Sequence, residues 1–220
     1  MNEQLAAILD QVADGKFPPA DGGVTILPPA SHRYDGVLDF TAHAVIFTEA
    51  DPGWVQAQLR GDSLAAPLSA RFLHALGEHT RKLAGSIDVV TLADPLPDPP
   101  PVELTPEADQ EHPRIARALR YRDDVRAWQA DGGVVLLGRG LADRWETAIE
   151  VDEDRRGEGL GRRLAMAARH LVPGGAPLWA QIAPGNAASL RAFLAAGFRP
   201  VGSEVLLTPD LPELPGLAPR

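Results

Sequence analysis

Seven prolines fall between Pro95 and Pro113, in the stretch "DPLPDPPPVELTPEADQEHP". Proline fixes φ and has no N–H to donate, so neither a helix nor a central strand is expected to run through such a segment. The 220-residue chain must therefore build its regular structure on either side of a stiff, extended connector. A boundary is expected near residue 100, with an N-terminal α/β region over 1–100 and a second domain over 101–220. That length is enough to bury a core.

Periodicity fills in the two halves. Leu5, Ile8, Leu9 and Val12 recur at helical spacing within residues 1–17, and "PPADGG" ends that helix. Residues 24–27 and 37–48 are β-branched and aromatic and read as strands. Residues 53–61 and 68–85 read as helices, the second with Leu68, Phe72, Leu73 and Leu76 on one face and Gly85 as its stop. Residues 87–93 read as a strand. After the connector, 125–130 and 133–138 form a hairpin about Asp131–Gly132. Residues 145–151 make a third strand. A helix with Leu160, Leu164, Ala167 and Leu171 in one stripe follows, ending at Pro173. Then come a strand (177–183), a helix capped by Asn186 and stopped at Gly197, a strand (200–207) and a proline-rich tail. Strands and helices in this order predict a mixed α/β sheet with helices packed on it.

Composition narrows the function. The net charge is −9, so a nucleic-acid partner is not expected, and the acidic balance leans toward a cationic acceptor. The chain has no cysteine, which excludes disulfides, thiolate metal sites and thiol nucleophiles. His74 and His79 stand five apart and do not share a helix face as HExxH requires. No metal is expected. No G-x-S-x-G elbow occurs. The start, "MNEQLAAILDQVADGKF", is acidic without a long apolar run, so no signal peptide, no membrane span and a cytoplasmic location are expected.

Residues 155–164 read "RRGEGLGRRL" between a strand and a helix. A helix start offers unpaired N–H groups and partial positive charge. Glycines let a ligand approach those amides with no Cβ in the way. Together they make an anion cradle, with Arg155, Arg156, Arg162 and Arg163 at its rim. The run is not a P-loop, and a dinucleotide fingerprint starting at Gly157 fails at Arg162. What stands there is R-x-x-G-x-G: Arg156, Gly159 and Gly161.

With "IEVDEDRRGEGLG" and "PGNAASLRAFLAAGF", the second half resembles the GNAT superfamily of acyl-CoA-dependent N-acyltransferases over roughly residues 113–208. The resemblance implies an α/β (α+β) fold with a mixed, mostly antiparallel sheet flanked by helices. The first hundred residues are then a degenerate relative of the same fold or a separate cap. Acetyl-CoA is implied as cosubstrate, without a metal. A primary amine of a small molecule or peptide is implied as acceptor, by direct transfer. A homodimer is compatible with the family. Cofactor contacts are implied for Ile149, Val151, Arg156, Gly157, Glu158, Gly159, Leu160, Gly161, Arg162, Asn186 and Phe193.

For the chemistry, the family meets the thioester carbonyl with a strand N–H that corresponds to Val151. The base is open between Glu146 and Glu150, which strand alternation puts on one face. Asp131 and His170 are weaker candidates. Many relatives carry a tyrosine where this chain has Phe193, and some a glutamate where it has Gln181. The alternative is a non-catalytic acyl-CoA-binding regulator.

Overall fold

The computed structural model describes residues 2–59, 64–97, 99–107, 109 and 111–209. Along the first half run α1 (Glu3–Ala13), β1 (Val24–Leu27), β2 (Asp35–Phe40), β3 (His43–Phe47), α2 (Pro52–Gln58), α3 (Ala70–Thr80), β4 (Leu83–Ala84) and β5 (Asp88–Ala93). The second half holds β6 (Thr105–Pro106), α4 (Pro113–Tyr121), β7 (Asp123–Ala130), β8 (Gly133–Arg139) and β9 (Trp145–Val151). It continues with α5 (Leu160–Leu171), β10 (Leu178–Ile182), α6 (Ala187–Ala195) and β11 (Arg199–Thr208). The result is a mixed α/β fold whose strand pairs are mostly antiparallel.

The chain forms two compact units. One takes the residues up to Ile8, Phe17–Asp88 and Gly202 onward; the other takes Leu9–Lys16 and Val89–Val201. The observed division falls at Asp88/Val89, so β5 pairs with a strand from beyond the connector.

In the first unit the strand order is β1-β3-β2-β11, with β4 beside β11. Only β1 and β3 pair in parallel. Val37, Ile46, Val205 and Leu207 pack with Phe72 and Leu76 of α3. Ser69 caps α3 by accepting from Phe72 N–H at 3.2 Å, as hydroxyl residues at this position do.

In the second unit the order is β5-β10-β9-β8-β7-β6, and only β9 and β10 pair in parallel. One face of its sheet takes α5 and α6. Leu160, Leu164 and Ala168 pack there with Val135, Leu137 and Phe193. The other face takes α4, whose Ile115 and Ala118 pack on Leu136 and Ala148.

Several elements differ from expectation. Residues 37–48 are not one strand but the hairpin β2–β3, turning where Ala42 adopts φ 55°. Alanine rarely takes that conformation, so no turn residue advertised it. The helix expected over 68–85 is a 3-10 turn (Ala66–Leu68), α3 and then β4. Arg81 at φ 56° ends α3, not Gly85. Pro113 does not close an extended connector. It is the first residue of α4, with His112 as cap, the helix position where a missing N–H costs nothing. The connector also supplies β6, and Val102 and Leu104 pack against the second unit's core. Arg60, Gly61 and the tail 210–220 lie outside the described residues.

Candidate functional site

The site begins with strands that part. The β8–β9 register runs unbroken from Gly133↔Val151 to Arg139↔Trp145. Backbone bonds at its two ends, Asp152 N–H to Gly132 O and Gly140 N–H to Arg144 O, are 2.9 and 3.0 Å. Antiparallel ladders alternate, so the even-numbered residues of β9 bond β8 and the odd-numbered ones turn their N–H and C=O away from it. On that far side β10 pairs only with Trp145 and Glu146. It then stays on β5 along its whole length, from Leu178↔Ala93 to Ile182↔Val89. The amides of Ile149 and Val151 therefore face a gap rather than a strand.

The glycine loop stands at the tip of the same strand. Gly157 and Gly159 have φ of 87° and 76°, and a Cβ on either would meet open space. Gly159 is the N-cap of α5 and brings no capping side chain, so the first-turn amides at Leu160, Gly161 and Arg162 point outward unsatisfied. Gly161 differs. Its missing Cβ would touch Ala192 and Val151 at 3.6 Å, so it sets how closely α5 packs. Arg156, Glu158 and Arg162 are exposed, and Leu160 is buried. Arg155 is not a free rim charge: it pairs with Asp131 at 2.9 Å and Glu158 at 3.1 Å. Hydrogen bonds to these two carboxylates raise its already high pKa. The loop thus offers backbone N–H groups and a helix start to an anion, with Arg156, Arg162 and Arg163 exposed beside it.

The two glutamates of β9 share the α4 face, as alternation predicts, but differ in surroundings. Glu146 is 4% exposed. Its carboxylate accepts from Arg122 Nε and Arg144 Nε at 2.9 Å each, and from Leu141 N–H at 3.2 Å. Burial pushes this carboxyl up. The charges of Arg144 and Arg122, with hydrogen bonds from Arg144 and Gln181, outweigh burial and hold it below the ordinary range. Such a group is a poor proton acceptor. Glu150 is half exposed and has Arg114 Nε at 2.9 Å.

The remaining candidates scatter. Asp131 is committed to Arg155. His170 lies ten residues beyond Leu160 on α5, about 15 Å along the axis, with Nδ1 buried and unpartnered. Asn186 is exposed and caps α6, accepting from Ser189 N–H at 3.1 Å. The Phe193 ring is 4% exposed and packs edge-on against Phe198 at 4.9 Å. Among the described residues no cluster of three His, Asp or Glu side chains could hold a metal, and no helix is long and apolar enough to cross a membrane. A groove of about 430 Å³ opens beside the loop, lined by Val102, Glu103, Gln129 and Leu160 among others. Sequence reasoning missed Arg122 and Arg144. The only sequence signal near them is the pair of glycines in "LLGRGLADRWE".

No protein-family model and no curated protein matches the chain. Among solved structures it is similar to a GCN5-related N-acetyltransferase from Kribbella flavida, at 19% identity and a TM-score of 0.42, over 63% of this chain and 64% of that one. It is similar to a GNAT-family acetyltransferase from Colwellia psychrerythraea at 10% identity and a TM-score of 0.40, over 63% and 62%. A third is a GCN5-related N-acetyltransferase from Sphaerobacter thermophilus, at 16% and 0.39, over 63% and 56%. The chain spans about three fifths of the length of these structures. Each of these similarities covers a segment of the chain.

Proposed function

We propose that this protein transfers an acetyl group from acetyl-CoA to a primary amine by direct attack. One observation carries the reading: unpaired amides on the tip of β9 stand next to a glycine loop and an uncapped helix start. Acetyl-CoA supplies the thioester. The amides of residues 157–162 take its pyrophosphate, with Arg156 and Arg162 adding charge. Asn186 and the side chains of Ile149 and Leu160 border the path. The Val151 N–H donates to the carbonyl oxygen as that oxygen gains charge, an effect of about 10²–10³ in rate for one such donor.

Glu150, on the α4 face, takes the proton of the incoming ammonium. Its pairing with Arg114 is solvent-exposed and weak enough to yield to an amine. Glu146 is locked under two arginines and serves structure. The nitrogen bonds to the carbonyl carbon as the carbon–sulfur bond breaks, and the second proton that the nitrogen must lose to become an amide passes to water. Phe193 has no proton to give, so the thiolate leaves as such and takes its proton from water. Following thiol release across a panel of amines tests the reading, with release expected over many turnovers. The runner-up, an acyl-CoA-binding regulator, draws on Phe193 standing where relatives hold a proton donor. Coenzyme A binding by calorimetry without thiol release from any amine would select it.

A further inference from the structure

We propose that the acceptor carries a carboxylate close to its amine, as a free amino acid does, and that Arg122 receives that carboxylate. This rests on the acyl-transfer reading and names its substrate class.

Two glycines mark the place. A Cβ on Gly138 would lie 3.0 Å from Cβ and 3.1 Å from Cδ of Arg122, and a Cβ on Gly140 would overlap the Glu146 carboxylate. Gly138 has no positive φ, so backbone conformation does not require it, whereas Gly140, at φ −106° and ψ −129°, also holds a backbone conformation that suits glycine. They clear room for a guanidinium and a carboxylate in the interior. Stability alone does not account for that, because well-packed apolar residues stabilise such a position as well or better.

Arg122 is the C-cap of α4, with its N–H on Ala118 O at 2.8 Å. Its Nε donates to Glu146 of β9 at 2.9 Å and its Nη2 to Gln181 of β10 at 3.3 Å. The guanidinium therefore ties the two strands where their pairing ends, at Trp179↔Glu146. Arginine has five N–H donors. Nη1 has no partner among the described residues, and the side chain stays 14% exposed. Glu146 does not belong to Arg122 alone, since Arg144 and Leu141 also donate to it. A guanidinium held on one edge, with donors left at its end, suits a carboxylate.

Position and charge agree. Beyond the last pair, Trp179↔Glu146, Gln181 is two residues along β10 and Glu150 four along β9, a difference of about 7 Å in the strand direction, apart from the gap that opens between the strands. A carboxylate at Arg122 and an amine at Glu150 can thus belong to one small molecule. The α4 helix adds Arg114, Arg117 and Arg120. Of these, Arg114 faces Glu150, and Arg117 and Arg120 are engaged in interactions of their own. Charges act over about 8–10 Å in salt, so the Arg122 guanidinium at contact distance outweighs the net charge of −9 in selecting the acceptor.

The test pairs each free amino acid with its carboxamide and its decarboxylated amine, compared per free amine with acetyl-CoA as donor. In the wild type the acids should be better by about 10–100-fold in kcat/KM, carried by KM. In Arg122→Gln that preference should collapse, while coenzyme A affinity by calorimetry stays unchanged and reports a folded protein. Gln181→Ala, which keeps the charge but removes one anchor, should cut the preference by about threefold. If Arg122→Gln does not fold, the wild-type pairs and Gln181→Ala decide. Acids no better than their amides, or a preference surviving in Arg122→Gln, would overturn the proposal and leave acyl transfer standing. Coenzyme A binding without thiol release from any acceptor would overturn acyl transfer and this proposal with it.

Discussion

The foot and the tip of β9 are one strand in two conditions. At the foot, Trp145 and Glu146 have partners on both sides, in β8 and β10, and both residues are buried. At the tip, Ile149 and Val151 have β8 on one side and a gap on the other, and both are half-buried. The same residue type behaves differently across that distance. Glu146 is enclosed by two guanidiniums and an amide, while Glu150 meets one arginine in partial solvent. Identical chemistry in the sequence becomes an enclosed ion-pair cluster at one end and a half-exposed carboxylate at the other. What changes is the number of neighbouring strands.

Breaking the foot should have the largest effect. Glu146→Ala leaves Arg122 and Arg144 without their shared carboxylate, and should cost about 3–5 kcal/mol in urea unfolding. The same pair predicts pH dependence. The Glu146 carboxyl is depressed in the folded protein, so its contribution is present above the ordinary carboxylate pKa and is lost as pH falls through the lowered folded value. Glu146→Gln should flatten that acid limb in thermal melts.

At the tip, Glu150→Gln should lower kcat by about 10²-fold while changing stability by no more than about 1 kcal/mol. A larger loss of stability than of rate would erase the contrast. Gly159→Val forces a β-branched residue to φ 76°, a strain of about 1–3 kcal/mol. Calorimetry should show coenzyme A affinity reduced at least about tenfold. Gly161→Ala should do least. Its added methyl meets ordinary van der Waals contacts at 3.6 Å, and alanine favours the helix. A change in coenzyme A affinity of less than about threefold is expected, under 1 kcal/mol.

Much of the tip was legible in sequence because local chemistry determines it. Gly157 and Gly159 hold positive-φ positions that few other residues fill, and their spacing carries the strand–loop–helix order. The foot was not legible. Alternation places Glu146 and Glu150 on one face, but only tertiary packing brings Arg122 to the first and Arg114 to the second. Helix α4 was hidden because Pro113 reads equally as the end of a proline run and as a first helical residue. The β2–β3 turn was hidden because Ala42 carries no turn signature. The partner of β5 lies 89 residues away, between Thr91 and Ala180, beyond the reach of any local pattern.

That pairing has a consequence for the nascent chain. Ala93 is made 85 residues before its partner Leu178, and at ordinary rates of synthesis β5 waits roughly 4–17 s for β10 to emerge. During that interval its apolar positions Val90 and Leu92, fully covered in the finished protein, have no β10 to lie against. Long-range pairing of this kind is slow and exposes strand edges to other chains. The proline run that marks a border in the amino-acid sequence is therefore not a border in time. The first half of this polypeptide does not finish folding until the second has been synthesised, and its yield in the cell should depend on chaperones that hold unpaired strands apart.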